Sequence, residues 1–306
     1  MKIAVVGAGA MGSLFGALLT EAQNQVGLYD IWPEHVHAVN ERGLRIEREG
    51  TTRIVQIHAT TDPKEIGRAE LVIIFVKSTQ TEPAAETARE LSAPQGWVMT
   101  LQNGMGNADI ISEFIEPARI LAGTTAHGAT MLGPGNIRHA GAGTTTIGVW
   151  ARSEQGFERA RYFAEFFTRA GIQTDAVEDV HRVVWNKLLI NVGINAITAL
   201  TGITNGQVLD LESTREISRN AVEEAITVAR ASGIDVDEDA VDHMFKVAKA
   251  TAVNRSSMGQ DVDRKRQTEI LAINGYIVRE ADKLGLKVPV NRTLTALVET
   301  LQFHYS

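Results

Sequence analysis

The chain has 306 residues, no cysteine and a net charge of −7. This length is sufficient for two domains with sizeable cores. The negative charge argues against a nucleic-acid or membrane partner, and the lack of cysteine excludes disulfides, thiolate zinc sites and cysteine nucleophiles. The lack of cysteine also fits a reducing cytosol, so we expect a cytoplasmic protein. No stretch approaches eighteen uninterrupted apolar residues, so we expect no membrane span.

Short β-branched runs alternate with segments of helical length in the first half of the chain. The first four are KIAVVG, GSLFGALLTEA, QVGLYD and PEHVHAVNERG. Such alternation predicts βαβ units and a parallel sheet. Two further buried strands are expected at residues 71–76 (LVIIFV) and 97–101 (WVMTL).

The pattern of apolar and polar residues changes twice after residue 101. The Gly- and Thr-rich tract 123–149 predicts short, partly antiparallel strands that complete the same sheet, and a helix at 157–170 and a strand at 172–177 follow. From Val180 onward the apolar residues recur at helical spacing only. We therefore predict an α/β fold, with a Rossmann-type domain at residues 1–178 and an all-α domain at residues 179–306.

The first loop carries a dinucleotide-binding pattern. GAGAMG matches G-x-G-x-x-G and lies between a predicted strand and a predicted helix, which is the context that this motif requires. The first glycine permits the turn, the second lets the backbone approach a pyrophosphate, and the third lets helix and strand pack closely. The candidate cofactor-binding residues of this loop are Gly7, Ala8, Gly9, Ala10, Met11 and Gly12.

Asp30 ends the second predicted strand, about twenty residues after the glycine loop. A carboxylate at this position accepts hydrogen bonds from the adenosine ribose hydroxyls and repels a 2′-phosphate. Asp30 therefore favours NADH over NADPH. Arg42 and Arg45 follow closely, and either could reverse that preference by folding back toward the ribose.

A stripe of three polar residues interrupts the apolar segment 185–195, WNKLLINVGIN. Lys187, Asn191 and Asn195 are spaced i, i+4 and i+8, so they share one narrow face of a helix that is otherwise apolar and should be buried. Lysine is rarely buried without a partner. Either the stripe lines a water-filled cleft and has a catalytic or substrate-binding role, or it is the solvated edge of a surface helix. The two amides, without accompanying acidic residues, favour the cleft.

Several segments in this order resemble the ketopantoate reductase (2-dehydropantoate 2-reductase) family over almost the whole chain. They are GAGAMG, Val76-Lys77 with Gln80, QNGMG at 102–106, GPGNIRHAGAG at 133–143, WNKLLINVGINAITAL at 185–200, TNGQV at 204–208 and NRSSMGQDVDRKRQTEI at 254–270. The last segment and the Lys-Asn-Asn segment are specific when taken alone.

The resemblance implies roles at matching positions. Lys187 falls on the family's general acid, and Glu269 on an acidic residue near the nicotinamide and the substrate hydroxyl. Ser257 falls on a hydroxyl that holds the substrate carboxylate, with Asn254 beside it. The other matches are substrate-contacting amides at Asn191, Asn195 and Asn205, an amide touching both cofactor and substrate at Asn103, and cofactor-side positions at Lys77, Gln80 and Ala129.

Simpler interpretations of these residues stay open. Asn103 follows a strand and precedes a glycine, as turn residues do. Ser257 and Glu269 lie in a charged helical stretch that would by default be solvated, and Lys77 could be a surface cation. His127 and His139 are twelve residues apart without carboxylates at ligand spacing, so we predict a structural role for them and no metal site.

The resemblance predicts reduction of a 2-oxo acid to a 2-hydroxy acid, with NADH or NADPH as cofactor and Lys187 as proton donor. Conversion of 2-dehydropantoate to (R)-pantoate is the first hypothesis. Asp30 departs from the family's usual NADPH pattern, so a D-2-hydroxy acid dehydrogenase using NADH is the second, and a non-catalytic dinucleotide-binding regulator is a distant third. The apolar face of a terminal helix, at 294–301, is compatible with a homodimer.

Overall fold

Two units make up the chain in the computed structural model, which describes residues 1–305. The first consists of Met1–Gln102 with Asn107–Val180, and the second consists of Asn103–Gly106 with the residues from His181 onward. The short 103–106 segment is therefore grouped with a part of the chain that is distant in sequence.

The first unit carries every strand of residues 1–305. Its strands are β1 (Lys2–Val6), β2 (Gln25–Tyr29), β3 (Leu44–Arg48), β4 (Thr51–Val55), β5 (His58–Thr60), β6 (Ala69–Ile74), β7 (Ser92–Thr100), β8 (Ile120–Thr125), β9 (Gly128–Gly133), β10 (Asn136–Gly141), β11 (Thr145–Val149) and β12 (Thr174–Ala176). Its helices are α1 (Ala10–Glu21), α2 (Pro33–Arg42), α3 (Thr81–Leu91), α4 (Asn107–Ser112) and α5 (Glu154–Arg169).

The main sheet has eight strands in the order β12-β11-β8-β7-β6-β1-β2-β5. β1 lies at its centre, with Val6 opposite Tyr29 of β2 on one side and opposite Ile74 of β6 on the other. All three strands run parallel, so the loops that follow them leave from the same edge. This edge, where the chain turns from one side of β1 to the other, is where open α/β sheets bind ligands.

The prediction for the Gly- and Thr-rich tract was partly wrong. Strands β8 and β11 do extend the main sheet as an antiparallel pair, with Thr125 opposite Thr145. Strands β9 and β10, however, form a separate four-stranded sheet with the β3–β4 hairpin, in the order β4-β3-β10-β9. Their apolar residues explain the difference, because Ile46 and Ile137 are fully buried in a cluster with Phe15 of α1. The small sheet thus covers the outer face of α1.

Among the described residues, the second unit forms helices joined by turns and loops and has no strand, as predicted. Its helices are α6 (Val180–Thr201), α7 (Glu212–Ala231), α8 (Ala240–Ala250), α9 (Ser257–Asp263), α10 (Asn274–Leu284) and α11 (Pro289–Gln302). α6 begins at the last residue of the first unit. Among residues 1–305, α6 is the one helix that is long enough and apolar enough to span a membrane. However, 61% of its most apolar 18-residue stretch is buried inside the protein. Core helices commonly meet the same criterion.

Buried amides tie α6 to its neighbours. Asn274 of α10 is fully buried and donates from Nδ2 to the carbonyl of Val192 and to Oδ1 of Asn291. Asn291 in turn donates to Glu224 of α7. Buried polar groups of this kind are costly unless they are bonded, so the network fixes how these helices pack around α6.

Candidate functional site

The glycine loop joins β1 to α1 in the first unit. Gly7 has φ +92, and its N–H donates to the carbonyl of Tyr29 at 2.9 Å. A Cβ on Gly7 would lie 2.9 Å from the backbone of Phe75, and one on Gly12 would lie 2.0 Å from the Gly7 oxygen. Glycine is therefore required at both positions by the protein's own packing.

Gly9 is different, because apart from the adjoining residues of its own chain segment nothing in the protein lies within 4 Å of the position that its Cβ would take. It is the N-cap of α1, and neither a side-chain cap nor an acidic residue in the first turn satisfies that helix end. The first N–H groups of a helix need partners and attract anions. Open space at Gly9 beside an uncapped helix end fits the pyrophosphate of a dinucleotide.

A cavity of about 110 Å³ adjoins this loop and is lined in part by Gly7, Tyr29, Asp30, Val76 and Gln80. Asp30 is half-buried, and its Oδ1 accepts a hydrogen bond from the N–H of Trp32 at 3.0 Å. This bond holds the carboxylate at the end of β2. The cavity thus brings together the glycine loop, the predicted ribose-binding carboxylate and one of the cofactor-side positions.

Two other cofactor-side positions lie outside that cavity lining. Lys77 is an exposed residue that precedes the short 3-10 turn Ser78–Gln80 after β6. Ala129 is on β9 of the small sheet, opposite His139 in the β9–β10 register. His139 Nε2 lies 3.3 Å from Nδ1 of His127, and the two rings are stacked. Neither Lys77 nor Ala129 lines the cavity that contains Asp30.

Lys187, Asn191 and Asn195 lie along one face of α6 in the second unit. Lys187 and Asn191 are half-buried, while Asn195 is only 5% exposed. Burial lowers the pKa of the Lys187 ammonium from 10.5 to about 8, and the carboxylate of Glu269 acts in the opposite direction. Lys187 is therefore a cation held out of bulk water near an acidic partner, and not a lysine on a solvated edge.

Glu269 is buried, with 7% of its surface exposed, just before the 3-10 turn Ile270–Ala272. The preceding Thr268 donates from both N–H and hydroxyl to Oε1 of Gln302, which anchors this segment to α11. Residues 263–267 are exposed, as their charged sequence suggests, but Glu269 is not part of that solvated surface.

Asn103 begins the short segment of the second unit. Two residues on, the N–H of Met105 donates to the carbonyl of Ala272 at 2.8 Å. Gly104 has φ +79, and a Cβ there would lie 2.5 Å from that same carbonyl oxygen. The segment that carries Asn103 is therefore tied to the turn that follows Glu269.

Asn205 and Asn254 are held together by their backbones, since the N–H of Asn205 donates to the Asn254 carbonyl at 2.9 Å. The Asn205 side chain donates to Thr251, and its Oδ1 is buried with no hydrogen-bond partner in the described residues. Asn254 is exposed, and exposed Ser257 is the first residue of α9. The structure thus gathers Asn205 and Asn254, with Ser257 three residues farther along the chain.

Sequence reasoning missed the residues that hold this region in place. Arg255 donates to the carbonyls of Thr198 and Ile203 at the end of α6, and it pairs with Asp263 through two hydrogen bonds of 2.9 Å. Thr198 also donates to Ser256, the N-cap of α9. Arg255 therefore links α6 to the segment that carries Asn254 and Ser257. Its flanking residues carry no signal for such a role.

Family profiles match both halves of the sequence. The profile described as ketopantoate reductase PanE/ApbA matches residues 3–152, and the one described as ketopantoate reductase PanE/ApbA C terminal matches residues 179–302. The chain belongs to the ketopantoate reductase family. Family members with curated names include the 2-dehydropantoate 2-reductase of Halobacterium salinarum, 39% identical over 303 residues that cover 99% of each chain. That of Pyrococcus abyssi is 35% identical over 98% of this chain and 97% of its own.

Solved structures of the family share the fold. A ketopantoate reductase from Ralstonia eutropha JMP134 is 34% identical, with a TM-score of 0.90 over 99% of both chains. A ternary complex of D-mandelate dehydrogenase with NADH and anilino(oxo)acetate is 27% identical, with a TM-score of 0.92 over 99% of both chains. The predicted α/β architecture and the predicted family are both confirmed.

Proposed function

We propose that this protein reduces 2-dehydropantoate to (R)-pantoate with a nicotinamide dinucleotide, and that Lys187 is the general acid. The observation that carries the proposal is the ammonium of the half-buried Lys187, whose pKa is lowered by burial to about 8 beside a buried acidic residue, Glu269. A surface lysine would hold its proton too tightly to release it readily at neutral pH, and a fully neutral amine would have no proton to give.

The dinucleotide, when bound, supplies the hydride that reduces the carbonyl carbon of the 2-oxo acid. The former carbonyl oxygen then gains negative charge, and the Lys187 ammonium stabilises that charge and donates its proton. Glu269 keeps Lys187 protonated until that moment, because it raises the lysine pKa against burial. After transfer, the neutral amine regains a proton from solvent.

The substrate-binding roles are proposed from the family resemblance. Asn191 and Asn195 share the face of α6 with Lys187, and Asn205 offers a buried acceptor without a partner among the described residues. Ser257 and Asn254 bind the substrate carboxylate, and Asn103 contacts both cofactor and substrate. We assign dinucleotide binding to residues 1–178 and substrate binding to residues 179–306, and we place the enzyme in the cytoplasm.

We further propose NADH as the preferred cofactor. Asp30 is positioned at the end of β2 by the N–H of Trp32, in a cavity that also contains Gly7. Its negative charge repels a 2′-phosphate, and Ile31 beside it offers no compensating charge and is 76% exposed. Gly7, Ala8, Gly9, Ala10, Met11 and Gly12 bind the pyrophosphate, and Lys77, Gln80 and Ala129 complete the cofactor side.

A second candidate is a D-2-hydroxy acid dehydrogenase of broader substrate range. Asp30 favours it, and the D-mandelate dehydrogenase structure was determined with NADH. The experiment that separates the candidates measures oxidation of NADH and NADPH by purified protein with 2-dehydropantoate, with unbranched 2-oxo acids and with aromatic ones. We expect kcat/KM to be highest for 2-dehydropantoate. A higher value for an aromatic 2-oxo acid would favour the second candidate, and cofactor binding without turnover would favour a regulator.

A further inference from the structure

His35 is a fully buried histidine in the first turn of α2, and both of its ring nitrogens have partners. Nδ1 accepts a hydrogen bond from the N–H of Gly135 at 3.0 Å, and Nε2 lies 3.3 Å from the hydroxyl oxygen of Ser13. Ser13 is also fully buried, and its hydroxyl donates to the carbonyl of Ala8 at 2.7 Å. A chain of three hydrogen bonds thus runs from the β9–β10 turn to the glycine loop.

The direction of every bond in this chain is fixed. A backbone N–H can only donate, so Nδ1 of His35 must accept from Gly135 and carries no hydrogen. The neutral ring therefore has its hydrogen on Nε2 and donates it to Ser13. The Ser13 hydroxyl is then free to donate its own hydrogen to Ala8, as the geometry requires.

This chain sets the orientation of one peptide group in the glycine loop. The peptide bond between Ala8 and Gly9 is planar and trans, so its C=O and N–H point in opposite directions. Ser13 holds the Ala8 oxygen toward the protein interior. The N–H of Gly9 is consequently directed away from the interior, beside the position where no protein atom lies within 4 Å of a Cβ on Gly9.

We propose that His35 is a positioning residue for the dinucleotide: acting through Ser13, its neutral ring orients the Ala8–Gly9 peptide so that the Gly9 N–H binds the pyrophosphate, and protonation of the ring weakens that binding. The inference rests on the proposed binding of a dinucleotide by the glycine loop. On this proposal, residues of α2 and of the β9–β10 turn also contribute to dinucleotide binding.

Protonation disrupts the chain because it places a second hydrogen on the ring. An imidazolium carries hydrogen on both nitrogens, so Nδ1 would face the N–H of Gly135 with two donors and no acceptor. Burial lowers the pKa of His35 below 6.5, and the nearby carboxylate of Asp30 raises it by a smaller amount. The ring is therefore neutral at physiological pH, and the cofactor is expected to bind more weakly only as the pH falls below that range.

The surroundings of the ring contain few charges. Trp32 stacks on His35 with ring centroids 5.6 Å apart, and Ser13 and Gly135 are uncharged. Asp30 is the charged group that acts on the ring. His139 on β10 is a second buried titratable residue nearby. The other charged and titratable side chains of the neighbouring elements are exposed or half-buried, and they are Glu21 on α1, Glu34, His37, Glu41 and Arg42 on α2, Arg45, Glu47 and Arg48 on β3, His58 on β5, and Arg138 on β10.

The tautomer can be tested directly on the wild-type protein, with a variant needed only to assign the signal. Nitrogen-15 NMR of the histidine rings should show His35 as the neutral form with hydrogen on Nε2 at pH 7.5, with its signal assigned by loss in His35→Asn. A ring that carries hydrogen on Nδ1, or that is already protonated at this pH, would overturn the proposal. This measurement does not depend on whether the protein binds a cofactor.

Matched variants test the role in binding. Ser13→Ala removes the central hydroxyl, and His35→Asn keeps an acceptor near the Nδ1 position but cannot reach Ser13 or titrate. His37→Asn is the control, because His37 lies on the same helix with its side chain 73% exposed and paired with Glu41. The dissociation constant of NADH is measured by calorimetry from pH 5.5 to 8, with thermal unfolding as the check on folding.

We expect Ser13→Ala and His35→Asn to weaken NADH binding roughly fivefold or more at pH 7.5, the effect of one buried hydrogen bond. Binding by wild type and His37→Asn should weaken further as the pH falls, and binding by His35→Asn should lose that dependence. Equal affinity in Ser13→Ala and wild type, or an unchanged pH dependence in His35→Asn, would overturn the proposal. Failure of the wild type itself to bind NADH or NADPH would instead contradict the proposed function.

Discussion

The carboxylate of Glu269 raises the pKa of Lys187 while burial lowers it, and burial has the larger effect. The two residues are 82 positions apart in the sequence, one on α6 and one before a 3-10 turn that is anchored to α11 through Thr268 and Gln302. The result is an ammonium with a pKa of about 8, which can both hold and release a proton near neutral pH.

Glu269→Gln should move the alkaline limb of the pH profile of kcat/KM to lower pH. The amide removes the negative charge that raises the Lys187 pKa, so the ammonium loses its proton earlier as the pH rises. We also expect kcat/KM at pH 7 to fall by roughly tenfold or more, because a charged partner is lost. Glu223→Gln, at an exposed position of α7, is the control and should leave the profile unchanged. If the alkaline limb of the Glu269→Gln profile stayed at the wild-type pH, Glu269 would not be the group that raises the Lys187 pKa.

Lys187→Met should make the protein more stable at pH 7, with a Tm higher by about 2–4 °C for each kcal/mol gained. In the unfolded chain Lys187 keeps its proton up to about pH 10.5, but in the folded protein only to about pH 8. The wild type therefore carries the full cost of burying the charge below pH 8 and gains stability as the pH rises from 8 to 10.5.

The stability advantage of Lys187→Met should accordingly shrink across that pH window. Thermal unfolding at pH 7, 8.5 and 10 measures it. Lys283→Met, at a lysine of α10 whose side chain is 70% exposed, is the control and should show no such trend. A Lys187→Met protein that is less stable than wild type at pH 7 would mean that the charge is well compensated in the folded state.

Two alanine substitutions in the glycine loop should distinguish a glycine needed for cofactor binding from a glycine needed for protein packing. Gly9→Ala adds a methyl group where no protein atom lies within 4 Å, so we expect an unchanged Tm and NADH binding weakened roughly tenfold or more. Gly12→Ala places its methyl group 2.0 Å from the Gly7 oxygen, so we expect a loss of about 1–3 kcal/mol of stability or more. Calorimetric titration and thermal unfolding measure the two effects. Tight NADH binding by Gly9→Ala would place the pyrophosphate elsewhere.

Asp30→Ser combined with Ile31→Arg should shift cofactor preference from NADH toward NADPH. The change removes the charge that repels a 2′-phosphate and adds one that attracts it. We expect the ratio of kcat/KM for NADPH to that for NADH to rise by roughly tenfold or more, about 1.4 kcal/mol. Glu34→Gln, at an exposed residue in the first turn of α2, controls for the loss of one nearby negative charge. A ratio that already favours NADPH in the wild type would contradict the proposed preference.

Local patterns in the sequence were enough to predict the glycine loop, Asp30 and the stripe on α6. GAGAMG is flanked by its strand and helix within twenty-odd residues, and Lys187, Asn191 and Asn195 follow from helical periodicity alone. The roles of Ser257 and Glu269 came from family resemblance, because their neighbours in sequence are charged. Glu269 is buried although its neighbours in sequence are charged, so the sequence pattern alone did not indicate its burial.

The small sheet was missed because its central pairing is not local. Ile46 of β3 lies opposite Ile137 of β10, 91 residues later. The sequence did carry a signal for the β3–β4 hairpin, since apolar and polar residues alternate in LRIER. The two strands are joined by Glu49 and Gly50, which both have positive φ, as in a tight hairpin turn. No pattern linked His35 to Ser13, or Arg255 to Thr198, because those contacts depend on how whole elements pack.

The most direct test of the account is the rate of hydride transfer in Lys187→Ala, measured in a single turnover with saturating NADH and 2-dehydropantoate. Loss of the general acid should lower this rate by about 10²–10⁴-fold and abolish the limb of the wild-type pH profile near pH 8. Binding of NADH should stay within about twofold of wild type, which separates loss of chemistry from loss of structure. A rate within about tenfold of wild type, less than ~1.4 kcal/mol of barrier, would contradict the role assigned to Lys187.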